Sequence, residues 1–379
     1  MTKTNWPMVK LGDVASFNNG FAFKPTDWSE SGRPIIRIQN LTDPSKSYNF
    51  THRVVPEKYQ VTHGDLLVSW SASLGVFRWK GEDALVNQHI FKVNPKGNID
   101  SSFFEFALIF ALQRMQKYLH GSTMRHINRK EFLSTTIPLP PLEEQRRIAG
   151  LLNKAVTNLD NSRKSLKALN TFLPNLFESS FNRGNRTITS IGSYLAQTQY
   201  GTSAKAGESG TFPILRMGNI TFEGQIDFSD LKFIDLDPSE FVKYTLKTGD
   251  ILFNRTNSKD LVGKTAVYYG EEGSFAYAGY LVRCRANSNS TPEYISGYLN
   301  SPTGKAVLRN AAKSIVGMAN INAKELQRLP IPEADPVEQR QWAEFEQEIH
   351  NLSGKLKKQV TLHHELYESL SARAFTGEL

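Results

Sequence analysis

The densest run of side chains able to do chemistry is Asn254-Arg255-Thr256-Asn257-Ser258-Lys259, with Lys264 just beyond it. Arg and Lys can bond the exposed edge of guanine, Asn and Gln that of adenine, and Ser or Thr either, so a loop of this make-up suits the reading of base edges. A solvated turn has the same composition, and the two readings stay open here. Ser69-Trp70-Ser71-Ala72-Ser73 stands at the corresponding place in the first half of the chain, with Ser69, Trp70 and Ser73 as its candidates. A second polar loop, Gly121 to Arg129, offers Thr123, Arg125 and Arg129, and pairs with Val316-Gly317-Met318-Ala319-Asn320. Arg37 with Asn40, and Arg216 with Asn219, occur in both halves. Residues that recur between two readers of different sequences fit phosphate contact or a structural role better than base choice.

Other chemistry is absent or incomplete. Gly263-Lys264-Thr265 looks like the end of a phosphate loop, but Ser258 stands where the first glycine is needed, and no second ATPase motif follows. His363-His364-Glu365 lacks the second histidine of a zinc-protease helix, so both histidines read as helix-face residues. No S-adenosylmethionine loop or Asp/Asn-Pro-Pro-Tyr pocket appears. The single Cys284 excludes an internal disulfide and suits a reducing compartment. No apolar run approaches the ~20 residues that span a bilayer, and Met1 to Pro7 lacks a signal-peptide stretch. A cytoplasmic protein is expected. The formal net charge is +8, which makes a polyanionic partner plausible. The charge is uneven: +6 over residues 1–141, +3 over 142–184, +1 over 185–335 and −2 over 336–379.

The elements that must position these loops occur twice. Pro34-Ile35-Ile36-Arg37-Ile38-Gln39-Asn40-Leu41 aligns with Pro213-Ile214-Leu215-Arg216-Met217-Gly218-Asn219-Ile220 at an offset of 179. His63-Gly64-Asp65-Leu66-Leu67 matches Thr248-Gly249-Asp250-Ile251-Leu252 at 185, and Glu144-Gln145-Arg146 matches Glu338-Gln339-Arg340 at 194. Blocks in one order with a rising offset point to a duplication with insertions in loops. Each copy opens with short apolar runs bounded by turn residues, predicting strands near 34–38, 65–68, 214–217 and 251–253, and a helix over 103–119. Each copy then ends in a long helix.

The first long helix follows Ile137-Pro138-Leu139-Pro140-Pro141, with Glu143 and Glu144 at the positive end of its dipole. The second starts at Asp335-Pro336-Val337-Glu338, a cap acid, a first-turn proline and a glutamate three residues after the cap. Ile148, Leu152, Ala155, Leu159, Ser162, Leu166, Leu169, Leu173 and Leu176 alternate at +4 and +3, a heptad seam. Trp342, Phe345, Ile349, Leu352, Leu356, Val360, Leu366 and Leu370 give a rougher one. A seam this long needs a partner helix, and the other copy is the obvious one; packing on the helix's own globular part is the alternative. Pro174 is expected to bend or weaken the first helix near its end.

Pro138-Leu139-Pro140-Pro141-Leu142-Glu143-Glu144-Gln145-Arg146-Arg147-Ile148-Ala149, its weaker second copy Pro330 to Arg340, and the C-terminal Ala374-Phe375-Thr376-Gly377-Glu378-Leu379 resemble the signatures of Type I restriction–modification specificity subunits. The resemblance covers essentially the whole chain. It implies an α+β chain with two tandem mixed α/β target-recognition domains, separated by two long helices that form an antiparallel coiled coil, a pseudo-two-fold internal repeat. The expected boundaries are 1–141, 142–184, 185–335 and 336–379. The implied role is non-catalytic: sequence-specific recognition of a bipartite, asymmetric site in double-stranded DNA. Two methyltransferase subunits would be positioned on it, with restriction subunits where a nuclease is present. S-adenosylmethionine would belong to the methyltransferase, ATP and Mg to the restriction partner, and no cofactor to this chain. Glu144, Gln145, Arg146, Glu338, Gln339 and Arg340 are the positions the resemblance puts at or near the partner interface. Two other readings remain: a DNA enzyme with a diverged active site, and a coiled-coil adaptor that touches only protein, for which the weakly charged second half speaks.

Overall fold

The protein is described by a computed structural model covering residues 5–70, 73–118, 129–184, 186–315 and 318–379. It divides into two compact units, residues 1–161 with 360–379, and residues 162–359. Each unit takes part of both long helices, so the expected boundaries at 141/142 and 335/336 mark where helices begin rather than where the compact units part.

In the first unit, Met8–Lys10 pairs antiparallel with Thr136–Pro138, tying the start of the chain to the segment that leads into the first long helix. A four-stranded antiparallel sheet has the order Ala15–Asn19, Ile90–Pro95, Leu66–Ser69, Gly75–Arg78. A second sheet has the order Asn49–Thr51, Arg33–Ile36, Ala84–Val86, Gln60–Val61, with its two central strands parallel. All four residues of Leu66–Ser69 are buried because the strand is covered on both faces. Leu66 and Val68 face a large core with Phe91, Phe104 and Ile148, while Leu67 faces a separate core with Ile36, Val86 and Ile90. The helix Ser101–Tyr118 packs Phe103, Phe104, Ala107 and Leu108 into the large core.

In the second unit, Ile188–Ser190 pairs antiparallel with Pro330–Pro332. One sheet has the order Leu195–Tyr200, Leu281–Ala286, Ile251–Asn254, Thr265–Val267. Another has the order Lys232–Ile234, Phe212–Leu215, Ala276–Tyr277, the last two parallel. Again the central strand is covered on both faces: Ile251 and Phe253 belong to one core and Leu252 to another.

The repeated Gly-Asp has a local cause in each unit. Gly64 and Gly249 turn the chain at φ 92° and 87°, a region that favours glycine. The following aspartate closes the turn, accepting from Thr62 N at 2.8 Å and from Lys247 N at 2.8 Å. It also holds a cation from the neighbouring strand, Lys92 on Asp65 at 2.9 Å and Arg285 on Asp250 at 2.7 Å.

The long helices run over Leu142–Phe181 and Pro336–Thr376. Pro174 lies within the first, which continues past it as helix. In the first unit Ile148, Ala149 and Leu152 share a core with Ala374 and Phe375 and with the globular part. In the second, Phe177 meets Trp342 at 5.0 Å and Phe172 meets Phe345 at 6.5 Å. The expected seam of the first helix is buried from Ile148 to Ser162 and half-buried beyond. The second helix departs from expectation. Leu352 and Leu366 are exposed, and the small Ser353 and Ser371 take the buried positions instead. The helical phase set by Trp342 and Ala374 decides which face turns inward, and leucine content does not.

Candidate nucleic-acid interface

Arg37 and Asn40 follow the central strand of the second sheet in the first unit, and Arg216 and Asn219 do the same in the second. Asn40 Oδ1 accepts from Arg37 N at 3.0 Å, and its Nδ2 donates to the Lys46 and Ser47 carbonyls at 3.1 and 3.2 Å. Asn219 accepts from Arg216 N at 2.9 Å and donates to the Asp227 and Asp230 carbonyls, both at 2.9 Å. Both amides are buried and used on both ends, so these two candidates are pins for the backbone, the structural side of the two roles open to them. The arginine side chains differ: Arg37 donates to Asn49 at 3.1 Å and lies over Trp28, whereas Arg216 holds Asp230 at 3.0 Å.

In the second unit the structure brings the two candidate loops together. Thr256–Asn257 pairs antiparallel with Met318–Asn320, which also pairs with Lys313–Ile315. Thr256 is nearly buried, and its hydroxyl accepts from Asn320 Nδ2 at 2.7 Å. Asn254 is fully buried, so it supports the loop from beneath rather than presenting an edge outward. Lys264 also turns inward: its ammonium donates to the Met217 carbonyl at 2.9 Å, and burial lowers its pKa. The surface that remains is Arg255, Asn257 and Lys259. Arg255 is half-buried with its guanidinium over the Tyr200 ring, and Lys259 is exposed. Composition did not single out Tyr200 and Tyr280, which flank Arg255 and are 43% and 50% exposed. Their signal in the sequence is aromatic residues at strand ends, which is too common to single them out.

In the first unit Ser69 is buried and its hydroxyl donates to the Ser73 carbonyl, leaving Ser73 as the exposed member. Trp70 stacks on Phe91 at 5.6 Å, and the guanidinium of Arg129 lies 5.9 Å from the same Phe91 ring. Arg129 Nη2 donates to the Phe17 carbonyl at 3.0 Å. Thr123 and Arg125 lie outside the described residues, as do Val316 and Gly317. Each unit thus presents an arginine laid on an aromatic ring beside a polar loop, a geometry that fixes the guanidinium plane for planar recognition.

At the helix starts, the two glutamines implied as partner contacts face inward. Gln145 Nε2 donates to the Pro140 carbonyl at 2.8 Å, and its Oε1 accepts from Asp100 N at 2.9 Å. Gln339 Nε2 donates to the Ala334 carbonyl at 3.0 Å, and its Oε1 accepts from Thr291 N at 3.2 Å. Both side chains anchor a helix start to the globular part, where unpaired backbone groups would otherwise be buried. Glu144 is held by Arg147 at 2.7 Å and Glu338 by Arg186 at 2.9 Å, and these pairings keep both carboxyls below their ordinary pKa. Arg146 and Arg340 are exposed and have no partner among the described residues.

Among the described residues no group of His, Cys, Asp and Glu could hold a metal ion. No helix there is long and apolar enough to cross a membrane. Cys284 is buried, and burial pushes its thiol pKa up.

Residues 3–171 match the family described as the Type I restriction modification DNA specificity domain. Over 99% of its length the chain is 23% identical to the Type I restriction enzyme EcoKI specificity subunit of Escherichia coli (strain K12), covering 89% of that protein. It is 26% identical, with the same two coverages, to the StySPI specificity subunit of Salmonella potsdam. A crystal structure of the S subunit of a Type I restriction-modification system from M. genitalium shares the fold. Its TM-score is 0.59 at 16% identity, covering 98% of this chain and 96% of that one. The chain is thus similar over essentially its whole length to specificity subunits of Type I restriction enzymes, and its residues 3–171 match their DNA specificity domain.

Proposed function

We propose that the chain reads a bipartite, asymmetric target in double-stranded DNA and positions two adenine-methyltransferase subunits on it. Restriction subunits would join where the system includes a nuclease. Residues 1–141 and 185–335 act as the two target-recognition domains. The segments 142–184 and 336–379 act as an antiparallel coiled coil that spaces them and carries the partner subunits. S-adenosylmethionine, ATP and Mg belong to those partners.

The observation that carries this reading is one scaffold used twice under different surfaces. The four-stranded sheets share a strand order, the Gly-Asp turns and buried asparagines correspond, and the helix-start glutamines make equivalent bonds. The outward residues do not correspond: Ser73 and Arg129 in one unit, Arg255, Asn257 and Lys259 in the other. Such a pair supports two half-sites of unequal sequence held on an approximate two-fold, as dimeric readers do with equal ones. The aromatic meetings of Phe172 with Phe345 and of Phe177 with Trp342 pair rising with falling numbers, which supports opposite helix directions.

The test is genome-wide mapping of methylated adenine with the gene present and deleted. Loss of one two-part motif with a fixed gap on deletion is the expected result. An unchanged methylation map would overturn the proposal.

A further inference from the structure

The second unit contains a cavity of about 570 Å³ between the later half of the first long helix and the helix Pro302–Ala311. Arg163, Lys167, Lys305 and Arg309 line it, against a single carboxylate, Glu223. Leu166, Phe222 and Pro302 give it an apolar wall. None of these four cations lies in the candidate base-reading loops or in the helix-start anchors.

Lys305 is the unusual member. Its Nζ is buried and has no hydrogen-bond partner among the described residues. It sits 5.2 Å from the centroid of the Phe222 ring. An ammonium withdrawn from water without a partner is unfavourable, and neighbouring like charges add to that. Burial, then Lys264 and Arg309, push its pKa down to about 8. Lys264, the lysine of the Gly-Lys-Thr string, is committed to the Met217 carbonyl and is not the one left open. Arg163, Lys167 and Arg309 are exposed at the rim with no partner among the described residues. Two guanidinium forks and two ammonium groups supply many donors to one compact, multiply charged anion.

We propose that this cavity binds a phosphoryl group carried on an apolar or aromatic body, with the phosphate on Lys305 and Arg309 and the body against Phe222 and Leu166. The terminal phosphate of a nucleoside monophosphate has this chemistry, and so does a phosphate of a polynucleotide. None of the residues that line the cavity belongs to the candidate base-reading surface, so the proposal does not rest on the function proposed above.

The experiment measures binding of AMP and of inorganic phosphate to the full chain by calorimetry, with Lys305→Met and Arg309→Gln as variants. Wild type is expected to bind AMP more tightly than inorganic phosphate, because only AMP offers a body to Phe222. Lys305→Met should weaken AMP at least about tenfold, one order corresponding to about 1.4 kcal/mol, while its melting temperature without ligand stays at or above that of wild type. Arg309→Gln, a surface change, should weaken AMP several-fold. Competition with an unphosphorylated duplex tells the two sources apart. No displacement of AMP from wild type supports a free phosphate ester, and displacement, together with direct binding of the duplex that Lys305→Met weakens, supports a polynucleotide phosphate. Absence of AMP binding, or equal binding by wild type and a folded Lys305→Met, overturns the proposal.

Discussion

The guanidinium carbon of Arg255 lies 5.0 Å from the centroid of the Tyr200 ring, while its Nε donates to the Gly279 carbonyl at 3.0 Å. One nitrogen is fixed to the backbone and the plane is fixed by the ring, which leaves the terminal nitrogens of the fork oriented before any ligand arrives. Pre-orientation of this kind lowers the entropy lost on binding.

Arg255→Ala in the assembled complex is therefore expected to weaken binding to the specific site by about 1–3 kcal/mol if the fork reads a base. Binding to scrambled DNA at the same salt should change far less. Fluorescence anisotropy on both duplexes checks this, and equal losses would make Arg255 a backbone contact. Tyr200→Ala should give a smaller loss on the specific site, through the freed guanidinium.

Asn219 ties its own turn to the segment that follows, satisfying the Arg216 amide and the Asp227 and Asp230 carbonyls. Asn219→Ala should destabilise the second unit by about 1–3 kcal/mol, because three hydrogen bonds made by a buried side-chain amide are lost. Asn40→Ala should do the same in the first. Urea unfolding followed by circular dichroism measures both. A variant as stable as wild type would show that water replaces the amide.

Gln339 and Arg340 are neighbours with opposite expectations. Gln339→Ala should lower stability, because Thr291 N and the Ala334 carbonyl lose their buried partner. Arg340→Glu, like Arg146→Glu, should leave unfolding unchanged within about 0.5 kcal/mol, as exposed substitutions usually do. On the proposed function, the two charge reversals should weaken capture of methyltransferase subunits in a pull-down from the co-expressed complex. Unchanged capture would remove these arginines from the interface.

Glu346 borders a cavity of about 290 Å³ beside Trp342, Tyr269 and His350. Burial, with Glu293 close by, pushes its pKa up to about 8 from an ordinary 4.5. The folded state therefore holds this proton more tightly than the unfolded one. Its stabilising contribution is complete below about pH 4.5, declines as pH rises, and is gone above about pH 8. Glu346→Gln should flatten that decline, so its advantage over wild type in urea midpoint should be larger near about pH 9 than near about pH 5. A gap that does not grow with pH would mean that Glu346 is ionised without penalty. Glu293, Tyr269 and His350 titrate in the same neighbourhood, and the first two interact with Glu346, so the comparison reports the Glu346 carboxyl together with its coupling to them.

The proposed spacing role gives a geometric prediction. Adding about seven residues to the middle of each long helix lengthens it by about 10 Å at about 1.5 Å per residue. At about 3.4 Å per base pair that is an unread gap about three base pairs longer. Methylation mapping should report the longer gap with both half-sites unchanged. An unaltered gap would mean that the helices do not set the distance.

Much of this molecule was legible in its sequence, and the reasons are local. Gly64-Asp65 and Gly249-Asp250 specify turns through a positive φ and a side chain that closes on its own backbone, so the strands after them could be placed within a residue or two. The first long helix was expected from residue 142 and runs over Leu142–Phe181, because proline, acidic residues and a heptad pattern all act within a few residues of one another. The second begins at Pro336, where the Asp335 cap predicted it.

What the tertiary structure alone decided is which side of each element faces inward. Asn254, Lys264, Gln145 and Gln339 have side chains suited to a partner, yet all four are buried or committed to backbone carbonyls, because buried backbone groups compete for the same hydrogen bonds. Leu352 and Leu366 are good seam residues by type and stand exposed, since the helix is phased by Trp342 and Ala374. Residue chemistry sets what a group can bind; long-range packing sets whether it can be reached. The cations around Lys305 come from segments well over a hundred residues apart, and only the folded chain gathers them.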